Sequence, residues 1–226
     1  MKINELSEKL LLAVKNEEST TGLETQLANL KLDEISNALN DDTKKKAFWI
    51  NCYNAFYQLL RKKNLIDKNE IYTTKAIHIA GQGFSLDDIE HGILRKYRIK
   101  ISLGYVANIF APVLIKKLAV RKIDYRIHFA LNCGAKSCPP IAFYSPQGLE
   151  EQLELATVSF LEEGTIVKLD RMEIHVTSLF SWFRGDFGGT SGIKQILKEK
   201  LKTPTKGLEL VYKPYSWEDD LGNFSN

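Results

Sequence analysis

Two of the three cysteines, Cys133 and Cys138, lie five residues apart in a segment with glycine and proline, CGAKSCPP. A cysteine thiol becomes an effective nucleophile when a neighbouring imidazole or helix N-terminus lowers its pKa from about 8.5. His128 is close to Cys133 in the sequence, whereas His91 needs a tertiary contact to reach it. We therefore expect Cys133 to be a nucleophile or a redox thiol, with a buried small residue as the structural alternative. The Cys-x4-Cys spacing is not a standard zinc spacing, so a metal ligand is the weakest alternative and no metal site is predicted.

A carboxylate, Glu90, falls on the apolar side of the helix predicted over Ser85 to Arg95. Ser85 to Asp88 match a capping pattern, because the serine hydroxyl can accept from the amide three residues on. At about 100° per residue, Glu90 lies inside the buried arc, which is formed by Leu86, Ile89, Ile93 and Leu94. An unpaired carboxylate there costs roughly 3 kcal/mol or more, so Glu90 either joins a structural salt bridge or orients a catalytic group. His91 and Arg95 lie at the edge of the arc, where they either line a groove or face water.

A second predicted helix, Lys45 to Arg61, is apolar around most of its circumference, which places it at the centre of the fold. Its polar residues form one narrow seam: Asn51, Asn54, Gln58 and Arg61. This seam is either a thin solvent-facing strip, or Asn51 and Asn54 hydrogen-bond the buried carboxylate, a loop backbone or a ligand. Cys52 lies on the apolar side of the helix and is predicted to be an unreactive core residue.

The segment before Cys133 is interpreted as a strand over Asp124 to Asn132. Alternation places four of its residues on one face, namely Arg126, His128, Ala130 and Asn132. Cys133 follows at the end of this strand, a rigid support from which a thiol can project into a pocket. Strict alternation points His128 away from Cys133, so pairing the two side chains requires the strand to twist or to end by Asn132.

The remaining predicted elements are short and alternate irregularly between helix and strand. A strand is expected within residues 71–81, followed by a break at Gly81 to Gly83, and a loop interrupted by Pro112 leads into a helical turn. Residues 146–163, 178–183 and 193–201 are predicted helices, KLDRMEIHVTS is a hairpin candidate turning at Asp170-Arg171, and LELVYKPYSW is a closing strand. The pattern predicts an α+β single domain, with a mixed or antiparallel sheet packed against the central apolar helix and several peripheral helices.

Composition and charge are those of an ordinary globular protein. The 226 residues are 44% hydrophobic and 26% charged, and the formal net charge is +3. This charge is too close to neutral to indicate a nucleic-acid or membrane-surface footprint over the whole protein. We treat residues 1–226 as one domain, with a helical extension over 1–44 and a closing strand and tail over 205–226.

The N-terminal residues have helical spacing rather than the continuous apolar core of a signal peptide. No stretch approaches the roughly 20 apolar residues that span a bilayer. Three cysteines are too few for a disulfide scaffold and fit a reducing compartment. We therefore predict a cytoplasmic protein, or an exported one if a leader has been removed.

Four ordered blocks, AFWINCYNAFY, FSLDDIEHGILR, DYRIHFALNCGAKSCPPI and SLFSWFRGDFG, resemble domain-of-unknown-function family 547 over about residues 45–200. Seven residues match positions of the family pattern: Asn51, Asn54, Glu90, His91, Arg95, His128 and Cys133. The position of Cys138 can be serine in plant-type relatives, so the resemblance favours Cys133 as the thiol of interest. It also implies that Trp182 and Asp186 lie near the closing helix, where Asp186 caps a helix or pairs with an arginine. It implies nothing about substrate.

The first functional hypothesis is a cysteine-dependent hydrolase or acyl-transfer enzyme in which Cys133 attacks and His91 or His128 takes the proton. Glu90 would hold the imidazole, and Asn51 or the backbone amides near Gly134 would stabilise the oxyanion. The alternatives are a non-catalytic binding module built on a Glu/Asn/His network and a redox protein that cycles a Cys133–Cys138 disulfide. Asn54, Arg95 and Cys138 complete the candidate ligand-binding set with Asn51. No cofactor is predicted, and the expected partner is a small molecule or a peptide, with no nucleic acid and no membrane span.

Overall fold

The computed structural model describes residues 2–64, 66–68 and 70–225, and it has the predicted α+β architecture. Within these residues, the α-helices are α1 (Ile3–Lys15), α2 (Thr21–Asn29), α3 (Leu32–Ala38), α4 (Asp42–Lys63), α5 (Val113–Leu118), α6 (Leu149–Gly164), α7 (Leu179–Trp182) and α8 (Gly189–Leu201). The strands are β1 (Ile77–Ile79), β2 (Gln82–Phe84), β3 (Ile166–Lys168), β4 (Glu173–Val176) and β5 (Glu209–Tyr212). A π-helix spans Asp88–Leu94, and 3-10 helices span Lys100–Ser102, Tyr125–Phe129 and Leu169–Arg171. No helix among the described residues is long and apolar enough to cross a membrane.

The strands form two small sheets. β1 and β2 make an antiparallel hairpin, while β4 pairs with β3 antiparallel and with β5 parallel, so the larger sheet is mixed. The predicted hairpin and closing strand are confirmed. The break expected at Gly81 to Gly83 is wrong, because Gln82 to Phe84 return as β2 and the turn lies one residue earlier. Ala80 and Gly81 make this turn with φ of 53° and 67°.

Helix α4 is the central helix that the sequence predicts. The Asp41 carboxylate caps its start by accepting from the Lys44 amide at 2.9 Å, and Asn64 ends it in the left-handed region with φ of 47°. Its middle is buried on all sides, and α1 packs along it. The larger apolar cluster forms around these two helices and takes in the β1–β2 hairpin and the π-helix. A second cluster joins β4 to α6, α7 and α8.

The strand predicted over Asp124 to Asn132 is wrong. Tyr125–Phe129 is a 3-10 helix, which begins where the Asp124 carboxylate accepts from the Arg126 amide at 3.1 Å. Residues 127–132 are all buried. The apolar residues at every second position therefore do not define one face of a sheet here. The 3-10 helix joins the two apolar clusters, because Ile127 belongs to the first and Phe129 to the second.

The helix predicted from Ser85 exists, but its core is a π-helix. The capping pattern is confirmed, since Ser85 and Asp88 exchange two hydrogen bonds of 3.0 Å between amide and side chain. Further on, the Arg95 amide donates to the Glu90 carbonyl at 2.9 Å, which is the i→i−5 pattern of a π-turn. A projection at 100° per residue therefore fails here. Both His91 and Arg95 are buried rather than at the edge of an apolar stripe.

Candidate functional site

A cavity of about 290 Å³ brings together five of the predicted site residues. The four predicted catalytic side chains line it, and so does Cys138: Glu90, His91, His128, Cys133 and Cys138. Much of the remaining wall is aromatic: Tyr53, Tyr72, Trp182, Phe183, Tyr215 and Trp217. The volume is in the range of a site for a small molecule or for one side chain of a peptide.

The two sulfur atoms of the site are in direct contact. Cys133 and Cys138 form a disulfide, with their Cα atoms 6.2 Å apart. The Cys133 amide donates to Sγ of Cys138 at 3.1 Å. The Tyr215 hydroxyl lies 3.3 Å from Sγ of Cys133 and 3.0 Å from Sγ of Cys138. Cys138 is buried and Cys133 is half-buried, so Cys133 is the more accessible of the two sulfurs.

The third cysteine is separate from this site. Cys52 is fully buried within α4 and is the free cysteine among the described residues. Burial raises the pKa of its thiol well above its ordinary value. The predicted role of Cys52 as an unreactive core residue is therefore confirmed.

The loop that carries Cys133 is held by two buried amide side chains. Asn54 on α4 donates to the Ala130 carbonyl and accepts from the Asn132 amide, both at 2.9 Å. Asn132 in turn donates to the Pro139 carbonyl and accepts from the Gly134 amide, both at 2.7 Å. Since these are buried amide-to-backbone bonds, they fix the loop against α4 with little freedom.

Gly134 is required where the chain turns after Cys133. Its φ of 64° lies in the left-handed region, and a Cβ atom there would come within 2.6 Å of the Tyr57 ring and 2.7 Å of Leu221. A side chain at this position would push the loop away from α4. The absence of a side chain therefore helps to set where the Cys133 sulfur lies.

Asn51, one turn earlier on α4, fixes a different backbone segment against the helix, at Tyr144. Its side chain donates to the Tyr144 carbonyl at 2.7 Å and accepts from the Tyr144 amide at 3.0 Å. Asn51, Asn54 and Gln58 are fully buried, so the interpretation of the seam as a solvent-facing strip is wrong. The alternative, in which the asparagines hydrogen-bond loop backbone, is confirmed. Both asparagines lie behind the cavity wall rather than in its lining.

A buried charged network lies beneath the two histidines. The Asp186 Oδ2 atom accepts from Arg95 Nε at 2.6 Å and lies 2.9 Å from His128 Nε2. Arg95 Nη1 donates to His91 Nδ1 at 2.6 Å. The side chains of Arg95 and Asp186 have no exposed surface. The pairing of Asp186 with an arginine, which the family resemblance implies, is confirmed. His128 contacts this carboxylate directly, and His91 is connected to it through Arg95.

Burial controls the protonation of the histidines. Burial, together with the smaller effect of the Arg95 charge, lowers the pKa of His91 to about 4, against the opposing effect of Asp87. Burial also lowers the pKa of His128, and the hydrogen bond that this ring donates to Asp186 only partly offsets the effect. Both rings are therefore neutral near pH 7. Because a guanidinium only donates, His91 Nδ1 is the acceptor, and the ring proton of the neutral form is on Nε2.

Two acidic groups of the site differ in what surrounds them. Burial alone would raise the pKa of Asp186, but the hydrogen bonds from His128 and Arg95 and the positive charge of Arg95 hold it below the usual range. Glu90, whose side chain is 13% exposed, accepts from the Tyr53 hydroxyl at 3.1 Å and faces the cavity. Burial and the Glu90 charge raise the pKa of Tyr53, so this hydroxyl remains a donor. Glu90 is thus satisfied mainly by a hydroxyl rather than by a structural arginine.

Sequence reasoning missed the residues that reach the site from the C-terminal part of the chain. Tyr215 and Trp217 lie in the tail, which was predicted only to close the sheet, and they pack on Trp182 with ring centroids 4.7 and 5.6 Å away. The available signal was that these two aromatic residues, which follow Pro214, are two positions apart. In an extended segment this spacing places both rings on the same face. Nothing local connects them to Cys133, which lies 82 residues earlier than Tyr215.

The described residues contain no group of three or more histidine, cysteine, aspartate or glutamate side chains that could bind a metal ion.

A family model described as "Protein of unknown function, DUF547" matches residues 37–161, more than half of the chain. No curated protein and no solved structure matches the sequence. The matched region contains α4, the π-helix and both cysteines of the cavity, while Asp186 and Tyr215 lie beyond it. The chain therefore belongs to the DUF547 family of proteins of unknown function.

Proposed function

We propose that the chain is a thiol–disulfide oxidoreductase that acts on a small molecule or peptide held in the Cys133 cavity. The single observation that carries this proposal is the contact between the sulfurs of Cys133 and Cys138 at the wall of a cavity, with one tyrosine hydroxyl next to both. A pair of cysteines that only stabilised the fold would need neither the cavity nor the shared hydroxyl.

The different burial of the two sulfurs supports a division of roles. Cys133 is half-buried and faces the cavity, so it is the attacking thiol. Cys138 is buried, and its sulfur accepts from the Cys133 amide, so it is the resolving thiol. The Tyr215 hydroxyl can donate to whichever sulfur carries the negative charge, which favours a thiolate at either step.

The exchange needs two steps. The Cys133 thiolate attacks one sulfur of a substrate disulfide R–S–S–R′, forms a mixed disulfide with the R half, and expels R′S⁻, which takes a proton from solvent. Cys138 loses its proton, attacks Sγ of Cys133 and expels RS⁻, which closes the Cys133–Cys138 disulfide. Two electrons have then passed from the protein dithiol to the substrate. A small-molecule dithiol completes the cycle by reducing the protein disulfide.

A cysteine-dependent hydrolase or acyl-transfer enzyme is the second candidate, because His91, His128 and Glu90 line the same cavity as Cys133. The hydrogen-bond geometry supports it less well. The group within hydrogen-bond distance of Cys133 is Tyr215, while the bonded nitrogens of the two imidazoles face Arg95 and Asp186. A histidine with a pKa of about 4 is also a weak base for a thiol near pH 7.

The proposed oxyanion donors of the hydrolase are also engaged elsewhere. The Asn51 amide group bonds Tyr144, and the Gly134 amide bonds Asn132. Oxyanion stabilisation requires donors that point at the reacting atom. The second candidate would therefore require the Cys133 loop to rearrange before it could act.

The decisive experiment traps the intermediate. Reduced protein is mixed with a small disulfide, such as 2-hydroxyethyl disulfide, and its mass is measured with time. The native chain should pass through a mixed disulfide and lose two hydrogens as Cys133 and Cys138 join. Cys138→Ser should accumulate the mixed disulfide on Cys133, whereas Cys133→Ser should react no faster than an ordinary thiol. Cys52→Ser is the matched control and should behave as the native chain.

The other outcomes separate the rival functions. If Cys138→Ser leaves the thiol chemistry unchanged and the protein hydrolyses thioesters, the chain is a hydrolase and the redox proposal fails. If iodoacetamide alkylates Cys133 of the reduced native protein no faster than a free thiol, both the oxidoreductase and the hydrolase proposals fail. The chain would then be a binding module that uses this cavity.

A further inference from the structure

The exposed apolar side chains of this protein are concentrated in one short segment. Sixteen large apolar side chains are exposed among the described residues, and eight of them lie within residues 99–113, which we call the apolar loop. These eight are Ile99, Ile101, Leu103, Tyr105, Val106, Ile109, Phe110 and Val113. Single exposed apolar residues are ordinary, but such a cluster on one segment marks an interaction surface.

The apolar loop is held in place by its backbone. Tyr97 to Asn108 form a hairpin-like turn, in which the Ile99 amide donates to the Val106 carbonyl at 2.9 Å and the Asn108 amide donates to the Tyr97 carbonyl at 2.7 Å. The Gly185 amide donates to the Leu103 carbonyl at 2.7 Å, which ties the turn to the body of the protein. The exposure of its side chains is therefore a property of an anchored structure.

Three side chains of the apolar loop project almost fully from the protein. Ile101, Phe110 and Val113 are 88%, 86% and 83% exposed. Ala111 of the same segment and Ile115, two residues beyond its end, are buried underneath. The segment therefore has an inner face that joins the core and an outer face with almost no protein neighbours.

The charged residues of the segment that contains the apolar loop are all basic. Residues 96–122 contain seven basic residues and no acidic residue, although the whole chain has a net charge of only +3. The seven are Lys96, Arg98, Lys100, Lys116, Lys117, Arg121 and Lys122. Two of them are paired on the surface, Lys100 with Asp87 at 3.0 Å and Lys117 with Asp33 at 3.1 Å. Such exposed pairs contribute little, so they do not prevent these lysines from binding another anion.

We infer that the apolar loop docks the protein on the surface of a bilayer that contains anionic lipids. The projecting side chains enter the boundary between headgroups and acyl chains, and the surrounding lysines and arginines bind lipid phosphates. A second copy of this chain does not fit, because two such surfaces would bring their seven basic residues face to face. An acidic protein would need a separate pocket for each projecting side chain, whereas fluid acyl chains accommodate them without one.

Vesicle co-sedimentation tests the inference on the full chain. The protein should sediment with vesicles of phosphatidylcholine and phosphatidylglycerol, and not with vesicles of phosphatidylcholine alone. Phe110→Ser with Val113→Ser should reduce binding at least about 10-fold, since both side chains would insert. Lys116→Gln with Lys117→Gln should weaken it roughly 30-fold, and added salt should weaken it further.

The matched control replaces two exposed apolar residues elsewhere, Leu155→Ser with Leu169→Ser, and should bind as the native chain does. All the substituted side chains are exposed, so unchanged circular dichroism and unfolding midpoints are expected for every variant. Failure to bind the anionic vesicles, or equal binding to phosphatidylcholine alone, overturns the inference. It is also overturned if sedimentation velocity finds a dimer that Phe110→Ser with Val113→Ser dissociates, because a second copy would then cover the loop.

Discussion

Replacing Asp186 with asparagine should destabilise the protein by about 3 kcal/mol, because it leaves the positive charge of Arg95 buried without a counter-ion. Both side chains have no exposed surface, and the other described contacts of Arg95 are with uncharged groups, the neutral His91 ring and the Phe183 ring 4.6 Å away. Removing one partner of a buried ion pair typically costs about 3–5 kcal/mol. The low end applies here, since the asparagine oxygen can still accept from one of the two donors.

The loss is measurable by urea or thermal unfolding. For a domain of this size, 1 kcal/mol corresponds to about 2–4 °C, so the melting temperature should fall by about 6–12 °C. Asp170→Asn is the matched control, because its carboxylate lies in a surface turn and is 77% exposed. It should change the free energy of unfolding by less than about 0.5 kcal/mol.

A double variant tests the physical reason. Arg95→Met together with Asp186→Asn removes the unpaired charge, so it should be at least about 1 kcal/mol more stable than Asp186→Asn alone. If the double variant is as unstable as the sum of the two single variants, the buried charge is not the cause. A loss of less than about 1 kcal/mol for Asp186→Asn would refute the reasoning directly.

Three further predictions concern the loop, the histidines and the sulfurs. Asn54→Ala leaves the buried Ala130 carbonyl and the buried Asn132 amide without partners. It should lower the free energy of unfolding, measured by urea titration, by about 2–4 kcal/mol. A loss below about 1 kcal/mol would contradict the role of Asn54 in holding the loop. Because the pKa of His91 is about 4 in the folded protein and about 6.5 when unfolded, stability should be flat above about pH 6.5 and fall by up to about 3 kcal/mol towards pH 4. Unfolding titrations should find a weaker fall for His91→Gln, and an unchanged fall would exclude His91 as its source. Tyr215→Phe should raise the pKa of the Cys133 thiol and so slow the alkylation of reduced Cys133 several-fold at pH 7. The control Tyr212→Phe, on β5, should not slow it. Equal rates for the two variants would show that the Tyr215 hydroxyl does not stabilise the thiolate.

The elements that the sequence predicted well are those whose signals are local. The reciprocal caps of Ser85 and Asp88 and the hairpin of β3 and β4 each depend on a few neighbouring residues. The candidate site was also predicted in large part, since the four proposed catalytic residues share one cavity. Their types and positions were visible in the chain, and the family resemblance gathered them into one set.

The misassigned elements are those where tertiary packing replaces the usual period. Tyr125–Phe129 lies between two apolar clusters, so its alternating pattern reflects burial on both sides rather than a strand. Asp88–Leu94 has wider turns than an α-helix, so a helical projection misplaced Arg95. Tyr215 could not be assigned to the site at all, because its approach to the sulfurs depends on how the whole tail folds back.

The π-helix has a consequence for how the family can diverge. A π-turn contains one residue more than an α-turn, and this extra residue is what allows the neighbours Glu90 and His91 to border one cavity while Arg95 turns inward behind them. Loss of a single codon in this segment would let the backbone return to the commoner helix with its hydrogen bonds intact. The fold would be retained, but Glu90, His91 and Arg95 would point in different directions. A homologue whose segment is one residue shorter should therefore retain the architecture and have abandoned the chemistry.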